Sequence, residues 1–252
     1  MTDLPQSLKT VLKRLRLSGI VHTLPDRLAY AKRNKLTYTD LIELVLQDEI
    51  DRREAKSLAT RIKTATIEAD QTLENFNWDA PVTFDKQRVK ELFSLAFYER
   101  KEDAVFLGPA GVGKTLLASA LAHAVCRCGK RVIFIRADTL LKELHQSRAD
   151  NSTDRVLRKF IAADLLVIDD FALRALNATQ SADIYEIILE RHKRSTTIMT
   201  SNRAINEWVP LFDDPILANS AIDRFAHNAH QVIIEGESYR QHQGPAATRT
   251  RA

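Results

Sequence analysis

A chain of 252 residues, 44% hydrophobic and 28% charged with a net charge of +4, has room for one α/β domain and a smaller appendage. No apolar run approaches the roughly 18 residues of a membrane span, and Met1 to Thr10 lacks an apolar signal core, so a cytoplasmic protein without a membrane partner is expected. Cys126 and Cys128 stand too close for an ordinary disulfide and are too few for zinc, and the seven histidines have no metal spacing.

The chain up to about residue 75 reads as helix. Leu8, Val11, Leu12 and Leu15 recur at helical spacing, with Lys9, Lys13 and Arg16 on another face. Leu17-Ser18-Gly19 is expected to end this helix, with the glycine in the left-handed C-terminal position. Thr39 or Asp40 should cap a second helix, whose apolar side is Leu41, Ile42, Leu44 and Val45 and which runs on to about Arg61. Eight basic residues face two acidic ones in Met1 to Lys35. The balance reverses, five against ten, from Leu36 to Ala80. Such a basic cluster suits a polyanion, or is an ordinary solvated or protein-docking face.

Phe76 to Pro81 breaks the helical texture and reads as a linker, giving a helical domain over 1–75 and a second domain over 76–240. In the second domain, Ala104–Leu107, Val132–Ile135, Leu165–Ile168, Thr197–Thr200 and Val232–Ile234 are short apolar runs separated by helical stretches. That alternation predicts buried parallel strands covered on both faces. A second basic excess, nine against four, lies in Arg127 to Lys159. Residues 241–252 are polar and are expected to be disordered.

Four features carry chemistry. Gly108-Pro109-Ala110-Gly111-Val112-Gly113-Lys114-Thr115 follows a predicted strand and opens a predicted helix. That is the context in which a glycine-rich loop turns its amides onto phosphates. Lys114 would reach the β- and γ-phosphates of ATP, and the Thr115 hydroxyl would ligate Mg²⁺. Asp169 and Asp170 end a buried run; Asp169 suits Mg²⁺ and Asp170 the attacking water, or both simply terminate a strand. Asn202 follows the fourth strand, where it could bond the γ-phosphate or form a turn. Arg224 is either an arginine finger for a neighbouring subunit or a surface partner of Asp223.

With these elements in order, the chain resembles an AAA+ ATPase of the DnaC/IstB branch, and most closely the IstB-type transposition helpers of insertion sequences. The resemblance rests on the phosphate loop, Asp164-Leu165-Leu166-Val167-Ile168-Asp169-Asp170-Phe171, Thr200-Ser201-Asn202-Arg203, Asp213-Asp214-Pro215, Ala221-Ile222-Asp223-Arg224 and Gly236-Glu237-Ser238-Tyr239-Arg240. It implies a three-layer αβα domain around a parallel five-stranded sheet, preceded by a small all-α domain. It also implies ATP-dependent homo-oligomers on duplex DNA, bound with little sequence preference, and activation of an IstA-type transposase with ATP hydrolysis.

The resemblance makes Arg224 a finger. It makes 146–161 the extra helical element of initiator-type relatives, with Arg148, Arg155, Arg158 and Lys159 as DNA contacts. Asp170 stands where many relatives carry glutamate, and Ala172 where glycine is common. Fewer than thirty residues follow Phe225, too few for a full helical lid, so no second sensor is assigned, although Arg240 is a candidate. The region from Phe76 to Phe84 is a candidate for adenine contact. A replicative-helicase loader and a non-catalytic ATP-switched scaffold are the alternative functions.

Overall fold

Residues 4–68, 70–78 and 81–237 are described by the computed structural model. In chain order they form α1 (Gln6–Arg14), α2 (Ile20–Asn34), α3 (Tyr38–Thr64), β1 (Val82–Thr83), α4 (Lys86–Phe93), α5 (Ala96–Glu99), β2 (Asp103–Leu107), α6 (Lys114–Arg127) and β3 (Val132–Arg136). Next come α7 (Ala137–Ala149), α8 (Thr153–Ile161), β4 (Leu165–Asp169), α9 (Ala178–Arg191), β5 (Thr196–Ser201), α10 (Pro215–Asn228), β6 (Ala229–Ile233) and β7 (Glu235–Gly236). The expected disorder of 241–252, and the candidate Arg240, lie outside the described residues.

The chain divides into two compact units, Met1–Thr60 and Arg61–Ala252, a division earlier in the chain than the break expected at residue 75. In the first unit Leu12, Ile20 and Val45 form a small core, with Leu17, Val21, Leu24 and Leu41 packed against it. Two local expectations change here. Gly19 is not a left-handed helix end: its φ is −63° and it leads into α2, while Arg16 takes the positive φ of 57°. Its lack of a side chain matters instead because a Cβ would lie 2.0 Å from Arg52 Nε. Thr37, rather than Thr39 or Asp40, caps α3: its hydroxyl accepts from Asp40 N at 3.2 Å, and Asp40 accepts from Thr37 N at 3.0 Å.

The second unit holds a five-stranded sheet in the order β3-β4-β5-β2-β6, with every neighbouring pair parallel. All residues of β2, β4 and β5 are buried, so none of the three alternates: β2 and β4 are apolar apart from a terminal aspartate, and β5 holds Ile198 and Met199 between buried hydroxyl residues. Helices cover both faces, so the expected αβα architecture is the one observed. A further ribbon pairs β1 with β7 antiparallel, Val82 opposite Gly236. Two residues per strand are too few to leave a pattern in the sequence.

At the N-terminal edge of the sheet the buried guanidinium of Arg191 donates to the carbonyls of Phe160, Ile161, Ala163 and Thr196 and to Thr197 Oγ1. Burial lowers its pKa to about 10, so it stays charged at neutral pH. Asp103 lies nearby, receiving Thr197 N at 2.6 Å and Asn228 Nδ2 at 2.9 Å. Burial pushes the Asp103 carboxyl up to about 7, against the pull of those bonds and of Arg191. The folded pKa therefore exceeds the unfolded one. Between about pH 4 and 7 the native state holds a proton that the unfolded chain has released, so this group's contribution to stability falls as pH rises through that window. The slope is roughly 1.4 kcal/mol per pH unit at its steepest. Urea unfolding of the Asp103→Asn protein should lack this component, giving a flatter profile than the parent between pH 4.5 and 7.5. Parallel profiles would show that Asp103 stays ionised against Arg191.

Candidate functional site

The site lies where β2, β4 and β5 end together. After β2 the chain enters the glycine-rich loop, with φ of +147° at Gly108, +85° at Gly111 and +97° at Gly113, the last capping α6. Gly108 is confined. Its N–H donates to Ser201 O at 3.2 Å, and a Cβ there would stand 2.1 Å from Ile234 O. The loop is thus fixed between the end of β5 and the residue after β6, and its amides lead into the N-terminus of α6. Such a terminus attracts anions through unpaired N–H groups and the helix dipole.

Lys114 is nearly buried, and its Nζ donates to Gly108 O at 2.8 Å and Pro109 O at 2.7 Å. The ammonium thereby lies across the loop. Thr115, the next residue, donates through Oγ1 to Asp169 Oδ1 at 2.9 Å. Thr200 on β5 donates to the same oxygen at 2.6 Å and accepts from Asp170 N at 2.9 Å. One carboxylate oxygen of a buried aspartate therefore gathers two hydroxyls from two elements. Hard oxygen donors of this kind fit Mg²⁺.

Asp170 differs from its neighbour. It has a φ of +55°, a position aspartate occupies more readily than most residues, and its carboxylate is partly exposed. Arg136, at the end of β3, reaches Asp170 Oδ2 at 3.3 Å. Ala172 also has positive φ, +62°, a backbone position that glycine, common here in the family the chain resembles, takes without strain.

The other predicted residues are more scattered. Asn202 stands exposed one residue beyond β5. Arg224 does not pair with Asp223, which contacts His227 instead; its Nη1 donates to Ser220 O at 3.1 Å and also bonds Ser220 Oγ. Arg148 is tied to the buried Asp183 at 2.6 Å, and Lys159 to Glu143 at 2.7 Å. Arg155 and Arg158 are exposed on α8 without an ion pair among the described residues. Lys9 and Lys13 lie on α1, and Arg16 just beyond it. The sequence extension 146–161 begins inside α7, and its separate helix is α8 alone.

The expected linker is a packed aromatic group. Phe76 meets Trp78 and Phe84 edge-on, with centroids 5.0 and 6.0 Å apart. Phe76 also comes within 4.0 Å of where a Gly113 Cβ would stand. The contacts of Thr200 with Asp169 and of Arg136 with Asp170 are not visible in the sequence. Thr200 is one of several threonines in a strand, and Arg136 acts on a residue 34 positions away, so neither leaves a local signal.

Among the described residues no three or more His, Cys, Asp or Glu side chains cluster as a separate metal site, and no helix is long and apolar enough to cross a membrane.

The family described as IstB-like ATP binding protein matches residues 10–247. An insertion-sequence ATP-binding protein of Mycobacterium tuberculosis is 36% identical, over 96% of this chain and 97% of its own length. The ATP-binding protein of insertion sequence IS21 from Pseudomonas aeruginosa is 32% identical, over 92% and 88%. Among solved structures, AMPPCP-bound DnaA of Aquifex aeolicus has a TM-score of 0.55 at 19% identity, covering 66% of this chain and 50% of its own. The DnaC helicase loader has a TM-score of 0.54 at 19% identity, over 66% and 97%. At such identity these two bear on the fold alone.

Proposed function

Because the chain belongs to the IstB-like ATP-binding family of insertion sequences, we propose that it is an Mg²⁺-dependent ATPase that binds duplex DNA, assembles there with further copies of itself, and serves an insertion-sequence transposase. The observation that carries the reading is the meeting of Thr115 and Thr200 on one oxygen of Asp169, beside the amides of the glycine-rich loop.

In this reading the loop amides and Lys114 hold the β- and γ-phosphates. Thr115 and Asp169 would hold Mg²⁺, which would supply neutralising charge beside the phosphates. Asp170 orients a water and draws its proton as the water's oxygen attacks the γ-phosphorus. The bond to the bridging oxygen breaks, leaving ADP and inorganic phosphate. Asn202 bonds the γ-phosphate side of the site, and Arg224 of a neighbouring copy offsets the developing charge. Phe76, Trp78 and Phe84 offer the adenine an apolar surface beside the loop. Arg155 and Arg158, the exposed cations of α8 without an ion pair among the described residues, are the strongest candidates for DNA phosphate contact in this unit.

Nucleotide and DNA binding measured together test the reading. Duplex affinity should rise with ATP and Mg²⁺ and fall steeply with added salt, as phosphate contacts require. Phosphate release should rise when duplex is added. DNA binding indifferent to ATP, or a flat salt response, refutes the DNA part. A preference for single strands would favour a helicase loader.

The Arg136–Asp170 pair gives a sharper expectation. Both groups are substantially exposed, so the contact is worth at most about 1 kcal/mol, or about fivefold in a rate. If it draws Asp170 away from the water, Arg136→Ala should raise DNA-independent phosphate release two- to fivefold. A fall in turnover would instead make Arg136 a phosphate ligand.

A further inference from the structure

Trp208 is the largest side chain buried completely among the described residues, yet it lies in no α-helix or strand. It stands between two short 3₁₀ turns, Ile205–Glu207 and Val209–Leu211. Its backbone is tied on both sides, Trp208 N donating to Ile205 O and Leu211 N to Trp208 O. The indole then meets the chain neighbour of each of Asp170, Asn202 and Arg224. Its ring is edge-on to Phe171, with centroids 4.8 Å apart, and stacked on Phe225 of α10, with centroids 6.0 Å apart. Its Nε1–H donates to the carbonyl of Arg203 at 3.3 Å. A buried tryptophan needs apolar neighbours and one acceptor. It does not need them to come from the ends of β4 and β5 and from α10 at once.

The turn after β4 is where such an arrangement matters. Asp170 and Ala172 have φ of +55° and +62°, in the left-handed region that side chains disfavour, and Phe171 lies between them. A turn of that shape persists only where its surroundings hold it. Phe171 supplies the hold. Its N–H donates to Thr200 O at 2.8 Å, its carbonyl accepts from Ser201 Oγ at 2.8 Å, and its buried ring lies against Trp208. The two hydrogen bonds fasten the turn to β5, and the ring contact ties it through Trp208 to α10. The Asp170 carboxylate is partly exposed, so the backbone of this turn, rather than close packing, sets its direction.

We propose that Trp208 is a positioning residue for ATP hydrolysis, locking the turn that carries Asp170 to the helix that carries Arg224. The inference rests on the roles given above to those two residues. Trp208 is buried away from solvent, so it meets neither the nucleotide nor the attacking water. Its effect falls on turnover and not on ATP binding. A displacement of about 1 Å in a group that acts on the reacting atoms can cost about 100-fold in rate, even when its cause lies away from them. The same link makes the aim of Asp170 depend on α10, so a shift of the helix offered to the next copy is felt at the water in its own.

Phosphate release and nucleotide affinity of the full chain, measured with Mg²⁺ and duplex DNA, provide the test. In Trp208→Leu, kcat should fall at least about tenfold while the Kd for ATP and for ADP stays within about threefold of the parent. Trp208→Phe keeps a ring against Phe171 and Phe225 and loses the bond to Arg203 O. It should stay within about threefold of the parental rate. Circular dichroism and thermal unfolding check each fold. If the leucine variant does not fold, Phe171→Leu, which removes the same ring contact from its other side, carries the same expectation. A second arm combines the change with Asp170→Asn. There Trp208→Leu should cost less than about twofold more in single-turnover release, because the group it aims is already gone. Losses that multiply, or an ATP affinity that falls in step with the rate in a folded variant, make Trp208 a packing residue alone and overturn the proposal. A parental kcat in a folded leucine variant overturns it as well, while the ATPase reading stands. A parent that releases no phosphate overturns that reading, and this inference with it.

Discussion

Replacing Lys114 by alanine should weaken ATP binding at least about 100-fold, with little loss of fold. The ammonium is nearly buried against Gly108 O and Pro109 O, both in the loop that would surround the phosphates. Hydrogen bonds to charged groups contribute roughly 1.5–3 kcal/mol each, and one ammonium facing two phosphates makes more than one. Two such bonds amount to about two decades or more in affinity. The expected cost to stability is small, because the carbonyls that lose the ammonium lie on a surface loop open to water. Isothermal titration with ATP and Mg²⁺ reads the affinity, and thermal unfolding of the free protein checks the fold. Near-parental affinity in a folded Lys114→Ala protein would remove the lysine from the phosphate site and take most of the proposed chemistry with it.

Asp170→Asn should separate binding from turnover. Asn is nearly isosteric, keeps the backbone bond from Asp170 N to Thr200 Oγ1, and tolerates the φ of +55°. What it removes is the group that accepts a proton from water, an effect of typically 10²–10⁴-fold in rate. ATP affinity should therefore remain within a few-fold of the parent while phosphate release drops by at least 100-fold. Asp169→Asn should behave differently, because Asp169 Oδ1 receives both Thr115 and Thr200. There the loss should appear in Mg²⁺ dependence. A normal rate in the Asp170 variant would assign the water to another residue, and no release from the parent under any condition would make the protein a nucleotide-controlled scaffold.

The features visible in the sequence are those fixed by strong local constraints. β2, β4 and β5 are buried on both faces, so their composition announces them, and the glycines of the loop occupy backbone positions that other residues strain to reach. What stayed hidden depends on strand neighbours. Thr200 meets Asp169 only because β4 lies beside β5, and Arg136 meets Asp170 only because β3 lies beside β4. Arg191 reads as the last charged residue of a surface helix, yet it is the one that closes five backbone and hydroxyl bonds beneath the sheet. Arg148 had the same look as Arg155 and Arg158, and only the burial of Asp183 sets it apart. The cap of α3 lies two residues before Thr39 and three before Asp40, the two positions expected, because Thr37 and Asp40 form a reciprocal pair in which the acidic member is not the cap.

The bracing of Gly108 by Ile234 has a temporal meaning. The loop is translated first, and the residue that limits its shape on one side emerges from the ribosome well over a hundred residues later. A nascent chain thus carries the loop's sequence long before it carries the loop's geometry. The loop is therefore expected to take its final shape only once β6 has been laid against β2, and a chain stopped before Ile234 should bind ATP more weakly than one that includes it.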